Sequence, residues 1–464
     1  MQRTNPSSRD RPPKFWGVVE GFYGRPWTCE QRSELCDWMG HSGLNSYLYS
    51  PKDDTKHRLY WYAPYTRAEA RDLARLIEQC QRHGVRFIYG LAPGFRADFT
   101  QQVMERHLRR KIDQLVSLGC RSFALLFDDI PPEGSVENLK RYGSWAGAHI
   151  TWTHSVRERL LATHPEVQLL FCPTPYCGAM SGAVRKNEYL LEVGECLSAD
   201  VEVFWTGRDI VSERITVPEI RELAEVIRRR PVLWDNLYAN DYDLRRLNLG
   251  PYVGRDPALR SEVRGILINP NCEYRANFAP FRAFAGYVSA RRSWDSRADH
   301  RRALEEWLPS FADRAGASPT VDELEFLTDC LHLPYSCGTG AEGFVEDAAA
   351  LLLATGTKRA TLRRRFDRVG DLLVRWQSRI TELEDRDLSY TLYRFVWELK
   401  EEVDLLQRFL KWQEQPGRSR SPFRSLFHQP GTYRGGLAAQ LQRLLIADPD
   451  GSFKVTRRPS GLRS

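Results

Sequence analysis

Nowhere in the 464 residues does an apolar run approach the ~18 that a membrane-crossing helix needs, so no span is expected. The ten cysteines form no Cys-x-x-Cys pair and show no His-paired spacing, which argues against zinc or any other metal centre. No Gly-x-Gly-x-x-Gly follows a strand-like run, and no Gly-x-Ser-x-Gly elbow occurs. A dinucleotide fold and a Ser-His-Asp hydrolase are therefore poorly supported, and no cofactor is expected. The excess of 67 basic over 60 acidic residues, +7, is thin for a nucleic-acid binder. The basic clusters at Arg109 to Lys111, Arg228 to Arg230 and Arg363 to Arg365 have acids nearby and read as solvated helix faces. The opening MQRTNPSSRDRPPKF has no apolar core behind its basic residues, so a secretory signal is not expected. With scattered, reduced thiols, the expectation is a cytoplasmic chain, with the nucleus open to it in a eukaryote.

What is present is folded-protein chemistry, with 42% hydrophobic and 27% charged residues, which excludes wholesale disorder. Strand-like runs occur at Phe15–Glu20, Ser46–Ser50, Val85–Leu91, Ser122–Phe127, Gln168–Cys172, Val201–Trp205, Pro231–Trp234 and Gly265–Ile268. Helix-like stretches lie between most of them, among them Thr28–Gly40 with Thr28 as cap, Arg67–His83, Gln102–Leu118 and Val217–Arg229. Continuous apolar strands alternating with helices predict a parallel sheet buried on both faces, and eight repeats match a (β/α)8 barrel. Beyond about residue 295 the strand signals stop, and the rest reads as an all-α helical bundle, with a final helix around Gly435–Ile446. The expected organisation is a loose N-terminus at 1–13, the barrel at 14–290 and a linker or first bundle helix at 291–319. The helical unit then covers 320–455, with a loose tail at 456–464.

In such barrels the working residues gather at the carboxyl ends of the strands. Those ends read GVVEGFYGRPW, SPKDD, ALLFDDI, FCPTPYCG, WDNLYANDYD and NPNCE. Acids, amides and aromatic rings together suit a sugar, whose C–H faces stack on rings while its hydroxyls take hydrogen bonds. Asp128 and Asp129 are the sharpest feature, because Ala124 to Phe127 lead straight into two acids that a buried strand tolerates only in a polar pocket. Two close carboxyls repel, which lets one keep a proton near neutral pH. A loop or helix cap is the bland alternative for this pair. Asp53 and Asp54 form a rival pair, read as rim salt bridges among solvated charges, with Lys52 turned inward. Asn236, Asn240 and Asp241 also suit a turn, Asn269 a plain loop, Tyr176 and Trp234 the core, and Glu20 a buried, hydrogen-bonded acid.

These strings, in this order, resemble the catalytic domain of the protein O-GlcNAcases, retaining β-N-acetylglucosaminidases, from about Lys14 to about Ser289. LPYSCGTGAEG, YRFVWELK, FLKWQ and YRGGLAAQLQRLL are similar to the helical stalk domain of the same enzymes. The resemblance implies hydrolysis of O-linked β-N-acetylglucosamine from Ser and Thr of proteins. The sugar's own acetamido oxygen attacks the anomeric carbon and forms an oxazoline. It implies that Asp128 orients and polarises the acetamido N–H, and that Asp129 is the general acid and then the general base. Gly21 would hold a sugar hydroxyl through its carbonyl, Lys52 another, and Asp241 the two hydroxyls farthest from the acetamide. Asn236 and Asn269 would supply amides, Tyr176 would steady the acetamido oxygen or the glycosidic side, and Cys172, Trp234 and Tyr242 would close the acetamide pocket. A homodimer through the stalk is implied, with Trp412 lining a peptide cleft, although core packing explains Trp412 equally well. Two other functions stay open: a hyaluronidase-like glucosaminidase on free or polymeric glycans, and a non-catalytic O-GlcNAc-binding module. The intact acid pair argues against the binding module.

Overall fold

The computed structural model describes residues 15–93, 98–130, 136–290, 293–416, 421–425 and 436–456. The expected tails, 1–13 and 456–464, lie outside the described residues apart from Thr456. Among the described residues no helix is long and apolar enough to cross a membrane.

Eight parallel strands close into one barrel in chain order. They are β1 (Phe15–Glu20), β2 (Ser46–Tyr49), β3 (Arg86–Leu91), β4 (Ser122–Leu126), β5 (Gln168–Cys172), β6 (Glu202–Trp205), β7 (Val232–Asp235) and β8 (Gly265–Ile268). Closure comes from β1, which pairs with β2 on one side and with β8 on the other. Helices follow the strands, among them α1 (Cys29–His41), α2 (Arg67–Arg82), α3 (Gln102–Ser117) and, after α4 (Val136–Tyr142), α5 (Trp145–Thr163). The fold is the (β/α)8 barrel that the alternation of apolar runs and amphipathic stretches predicts.

Local chemistry explains where several helices begin. Thr28 and Thr66 each form a capping box, with Gln31 and Glu69 reaching back three residues. Thr216 does the same with Glu219, and a proline in the first turn has no N–H to leave unpaired. The expected helix at Val217–Arg229 ends sooner, at Val226, because Arg228 adopts φ +55°, which a right-handed helix cannot continue.

Side-chain alternation divides each strand between two layers. Phe15, Val19, Leu48, Ile88, Ala124, Leu126, Leu170, Phe204, Val232 and Leu267 form one buried cluster, the filling of the barrel lumen. Their neighbours, such as Val18, Tyr47, Phe87, Phe123 and Leu125, are equally buried and point out toward the surrounding helices. Both faces are dry, which is why the strands are apolar throughout.

The compact units interleave along the chain. The first comprises Met1–Asp241, Val253–Cys272 and Phe284–Trp294, and the second Tyr242–Tyr252, Glu273–Ala283 and Asp295–Ser464. Two short segments within 14–290 therefore belong with the helices. The two longest helices of the second unit, Gly356–Glu382 and Arg386–Glu414, bury Leu373, Trp376 and Ile380 on one and Leu392, Phe395, Leu399 and Leu406 on the other. The final helix is shorter than expected, Gly436–Gln442. Beyond it Leu445–Ala447 pairs antiparallel with Phe453–Val455, so this unit is helical with one small hairpin. Gly451, at φ +79°, supplies the turn that reverses the chain, and Leu445 and Phe453 bury their side chains in the core.

Candidate active site

Continuing each strand's inward register by one or two steps reaches the site. Val19 leads to Gly21, Leu48 to Ser50 and Lys52, and Leu126 to Asp128. Val232 leads to Trp234 and Asn236, and Leu267 to Asn269. Cys172 and Trp234 are themselves part of the lumen cluster. Asp128 thus emerges inward with its side chain 12% exposed, whereas Asp129, one residue out of register, turns beyond the strand end and is 30% exposed.

Lys52 Nζ donates to Asp128 Oδ2 at 2.9 Å and lies 3.4 Å from Asp129 Oδ2. Burial opposes both charges. At Lys52 the carboxylate of Asp128, then that of Asp129, outweighs it and holds the ammonium above its ordinary value. At Asp128 the same ammonium outweighs burial and holds the carboxyl below the usual carboxylate range. His57 sits behind them, fully buried, and burial with the nearby Lys52 charge brings it down to about 4. Its Nδ1 donates to the Gly90 carbonyl at 2.7 Å, leaving Nε2 to accept from the Ser50 hydroxyl at 3.3 Å. The carbonyl can only accept, so it fixes the Nδ1–H tautomer of the neutral imidazole.

Around the acid pair the walls are aromatic and amide. Gly21 lies against Trp234, where a Cβ would fall 2.3 Å from the indole, so only glycine fits. Trp234 packs edge-on to Phe204 at 5.6 Å, and Lys52 Nζ lies 5.9 Å from its ring. Cys172 and Tyr176 are buried; burial, then the charges of Asp129 and Asp128, push the Tyr176 hydroxyl up, so it remains a donor. Asn236 Nδ2 donates to the Ile210 carbonyl at 2.7 Å, and its Oδ1 accepts from Asn269 Nδ2 at 2.9 Å. Asn269 Oδ1 is buried without a hydrogen-bond partner, an acceptor that a ligand hydroxyl would satisfy. Asp241 Oδ2 accepts from the Tyr23 N–H at 2.9 Å. Tyr242, the next residue, is 55% exposed and belongs to the second unit. Trp412 packs with Phe409 and Phe423, at 5.3 and 6.1 Å, against the apolar core of the second unit.

Other acids near the strand ends are structural. Glu20 points outward and is held by Arg32 at 2.6 and 2.8 Å, the Tyr47 hydroxyl and the Trp27 N–H. Asp235, outward on β7, is paired with Arg255 in a fully buried ion pair at 2.6 Å. The expected rim salt bridges of Asp53 and Asp54 are replaced by hydrogen bonds. Asp53 accepts from the Gly24 N–H at 3.0 Å, and Asp54 from the Tyr49 and Tyr65 hydroxyls at 2.8 and 2.6 Å.

Two side chains absent from the expected site touch it. The Tyr23 hydroxyl donates to Asp129 Oδ2 at 2.8 Å, and Arg58 donates both to that hydroxyl and to the Asp129 carbonyl. In the sequence Tyr23 is one of several rings in GVVEGFYGRPW, and Arg58 ends a run, KDDTKHR, indistinguishable by composition from a solvated charge cluster.

A family model of β-N-acetylglucosaminidases matches residues 16–319. Protein O-GlcNAcases of Rattus norvegicus and Mus musculus are each 45% identical over 275 residues, 59% of this chain and 30% of theirs. The chain thus spans about 30% of the length of these curated relatives. An Asp-to-Asn mutant of the O-GlcNAc hydrolase of Thermobaculum terrenum superposes with a TM-score of 0.77 at 26% identity, covering 86% of this chain and 84% of that one. The chain belongs to the β-N-acetylglucosaminidase family.

Proposed function

We propose that this chain hydrolyses O-linked β-N-acetylglucosamine from Ser and Thr of proteins, with retention and through an oxazoline. The reading is supported by the names of its relatives, protein O-GlcNAcase in rat and mouse and O-GlcNAc hydrolase in the bacterium. Its chemistry needs two unlike carboxyls. The acetamido oxygen attacks the anomeric carbon as the glycosidic C–O bond breaks, and Asp129 gives its proton to the departing Ser or Thr oxygen. The acetamido nitrogen becomes positive, and the ionised Asp128 accepts its N–H and stabilises that charge. Asp129 then takes a proton from the water that opens the oxazoline, which regenerates the acid and releases N-acetylglucosamine.

One observation carries the reading: a buried carboxylate, Asp128, kept ionised by Lys52, stands beside a more exposed neighbour, Asp129. Gly21, Lys52, Cys172, Tyr176, Trp234, Asn236, Asp241, Tyr242 and Asn269 are assigned to the sugar in the roles given above. An aryl 2-acetamido-2-deoxy-β-glucoside and a glycosylated protein, each assayed with the Asp129→Asn variant as control, test it. Turnover of both supports the reading. Turnover of the aryl sugar and of free glycans alone would favour a glycan hydrolase, and binding without turnover a lectin. We also propose a cytoplasmic homodimer through the helical unit, with Trp412 beside the peptide. Light scattering that finds only monomer at micromolar concentration would refute the dimer.

A further inference from the structure

Among the described residues, every hydrogen bond and ion pair made to the Asp129 carboxylate converges on one oxygen. Oδ2 accepts from the Tyr23 hydroxyl at 2.8 Å, faces Lys52 Nζ at 3.4 Å and lies 3.8 Å from Arg58 Nη2. Oδ1 takes no hydrogen bond from any described residue.

Tyr23 would be a poor clamp alone, because it is 43% exposed. Arg58 removes its freedom in three ways. Its Nη1 donates to the Tyr23 hydroxyl, its guanidinium carbon lies 5.2 Å from the Tyr23 ring centre, and its Nη2 donates to the Asp129 main-chain carbonyl at 3.3 Å. A guanidinium only donates, so the phenol must accept from Arg58 and spend its single proton on Asp129. Burial, then the charge of Asp129, push the phenol above its ordinary value, so that proton stays. The direct distance from Arg58 to the carboxylate exceeds a hydrogen bond, so Arg58 acts through Tyr23 and the main chain.

We propose that Arg58 is a positioning residue that, through Tyr23, locks Oδ2 of Asp129 and leaves Oδ1 as the oxygen that exchanges the proton with the departing group. The inference rests on the general-acid reading of Asp129. Geometry of this kind matters because a proton donor misplaced by even about 1 Å costs on the order of a hundredfold in rate.

The test compares kcat/KM on a phenyl and a dinitrophenyl 2-acetamido-2-deoxy-β-glucoside, the second leaving without a proton. Arg58→Met and Tyr23→Phe should each lose about 10- to 100-fold on the phenyl substrate and less than about 3-fold on the dinitrophenyl one. The loss should appear in kcat rather than KM. Arg58→Lys should recover only part of it, since an ammonium lacks the planar fork that reaches phenol and carbonyl together. Equal losses on both substrates, or none on either, would overturn the inference. Tyr23→Phe removes one hydroxyl from a residue that is 43% exposed, so it keeps the test open should Arg58→Met fold poorly. Asp129→Asn separates the two levels. If it too is blind to the leaving group, the acid assignment fails and takes this inference with it. If it is sensitive while Arg58→Met is not, only the positioning role is lost.

Discussion

Lys52 Nζ stands 2.9 Å from Asp128 Oδ2, joining two inward residues that different strands deliver to the same end of the barrel. The ammonium keeps Asp128 ionised despite its burial, and Asp128 returns the favour. Replacing Lys52 by Met leaves a buried carboxylate without its cation. The carboxyl should rise, so the acidic limb of kcat/KM should move to higher pH, and activity near neutrality should fall about a hundredfold. A pH–rate profile checks both. An acidic limb that stays put would show that Lys52 does not govern Asp128.

The two acids should fail differently. Asp129→Asn should slow substrates with poor leaving groups most, whereas Asp128→Asn should slow all of them, because the acetamide must attack whatever departs. Substrates with mono-, di- and trifluoroacetyl groups should turn over progressively more slowly as the nucleophilic oxygen becomes poorer. A flat series would remove the neighbouring-group step.

Gly21→Ala should damage the pocket without touching a charge. The new methyl would meet Trp234 at 2.3 Å and the Val19 side chain at 2.9 Å. Displacing the indole should cost about 1–3 kcal/mol of stability and raise KM for the aryl sugar. Urea denaturation with steady-state kinetics measures both; an unchanged KM would place Trp234 outside sugar binding.

Arg255 and Asp235 are both fully buried. Arg255→Met strands a carboxylate in the barrel wall and should destabilise by about 3–5 kcal/mol. Arg255→Met combined with Asp235→Leu should be markedly less damaging, because the loss comes from a buried negative charge deprived of its cation. Urea midpoints of both variants decide the point.

Acid should weaken the fold through buried histidines. Burial holds His149 at about 3, and burial with the Lys52 charge holds His57 at about 4. In the unfolded chain both titrate near ~6.5. Below that value the unfolded state binds protons the folded one refuses, so stability present above pH ~6.5 should drain away down toward pH about 4 for His57 and about 3 for His149. His149 is stacked on Phe127 at 4.1 Å, so His149→Phe keeps the ring and should flatten the decline. An unchanged slope in that variant would exonerate His149.

Much of this was legible in the chain because it is local. Strands buried on both faces must be apolar, so Phe15–Glu20, Gln168–Cys172 and Gly265–Ile268 stand out at their observed limits. Capping chemistry marks helix starts, as at Thr28 and Thr66. The Asp128–Asp129 pair is conspicuous because acids directly after ALLF have few other reasons to exist. The closing hairpin of the helical unit was missed, since Leu445–Ala447 is too short a run to distinguish from the end of a helix.

The sequence by itself determined the element types, the barrel and the acidic pair, because each is written in contiguous residues whose periodicity and polarity suffice. Tertiary structure alone decided which acids face the lumen and which are paired in the barrel wall. Glu20 and Asp235 meet Arg32 and Arg255 outside the lumen, while Asp128 meets Lys52 within it. That choice follows from side-chain alternation once the barrel closes and fixes each strand's facing, a relation among residues far apart in the chain. For the same reason Arg58 and Tyr23 reveal their hold on Asp129 only when separate strand ends converge.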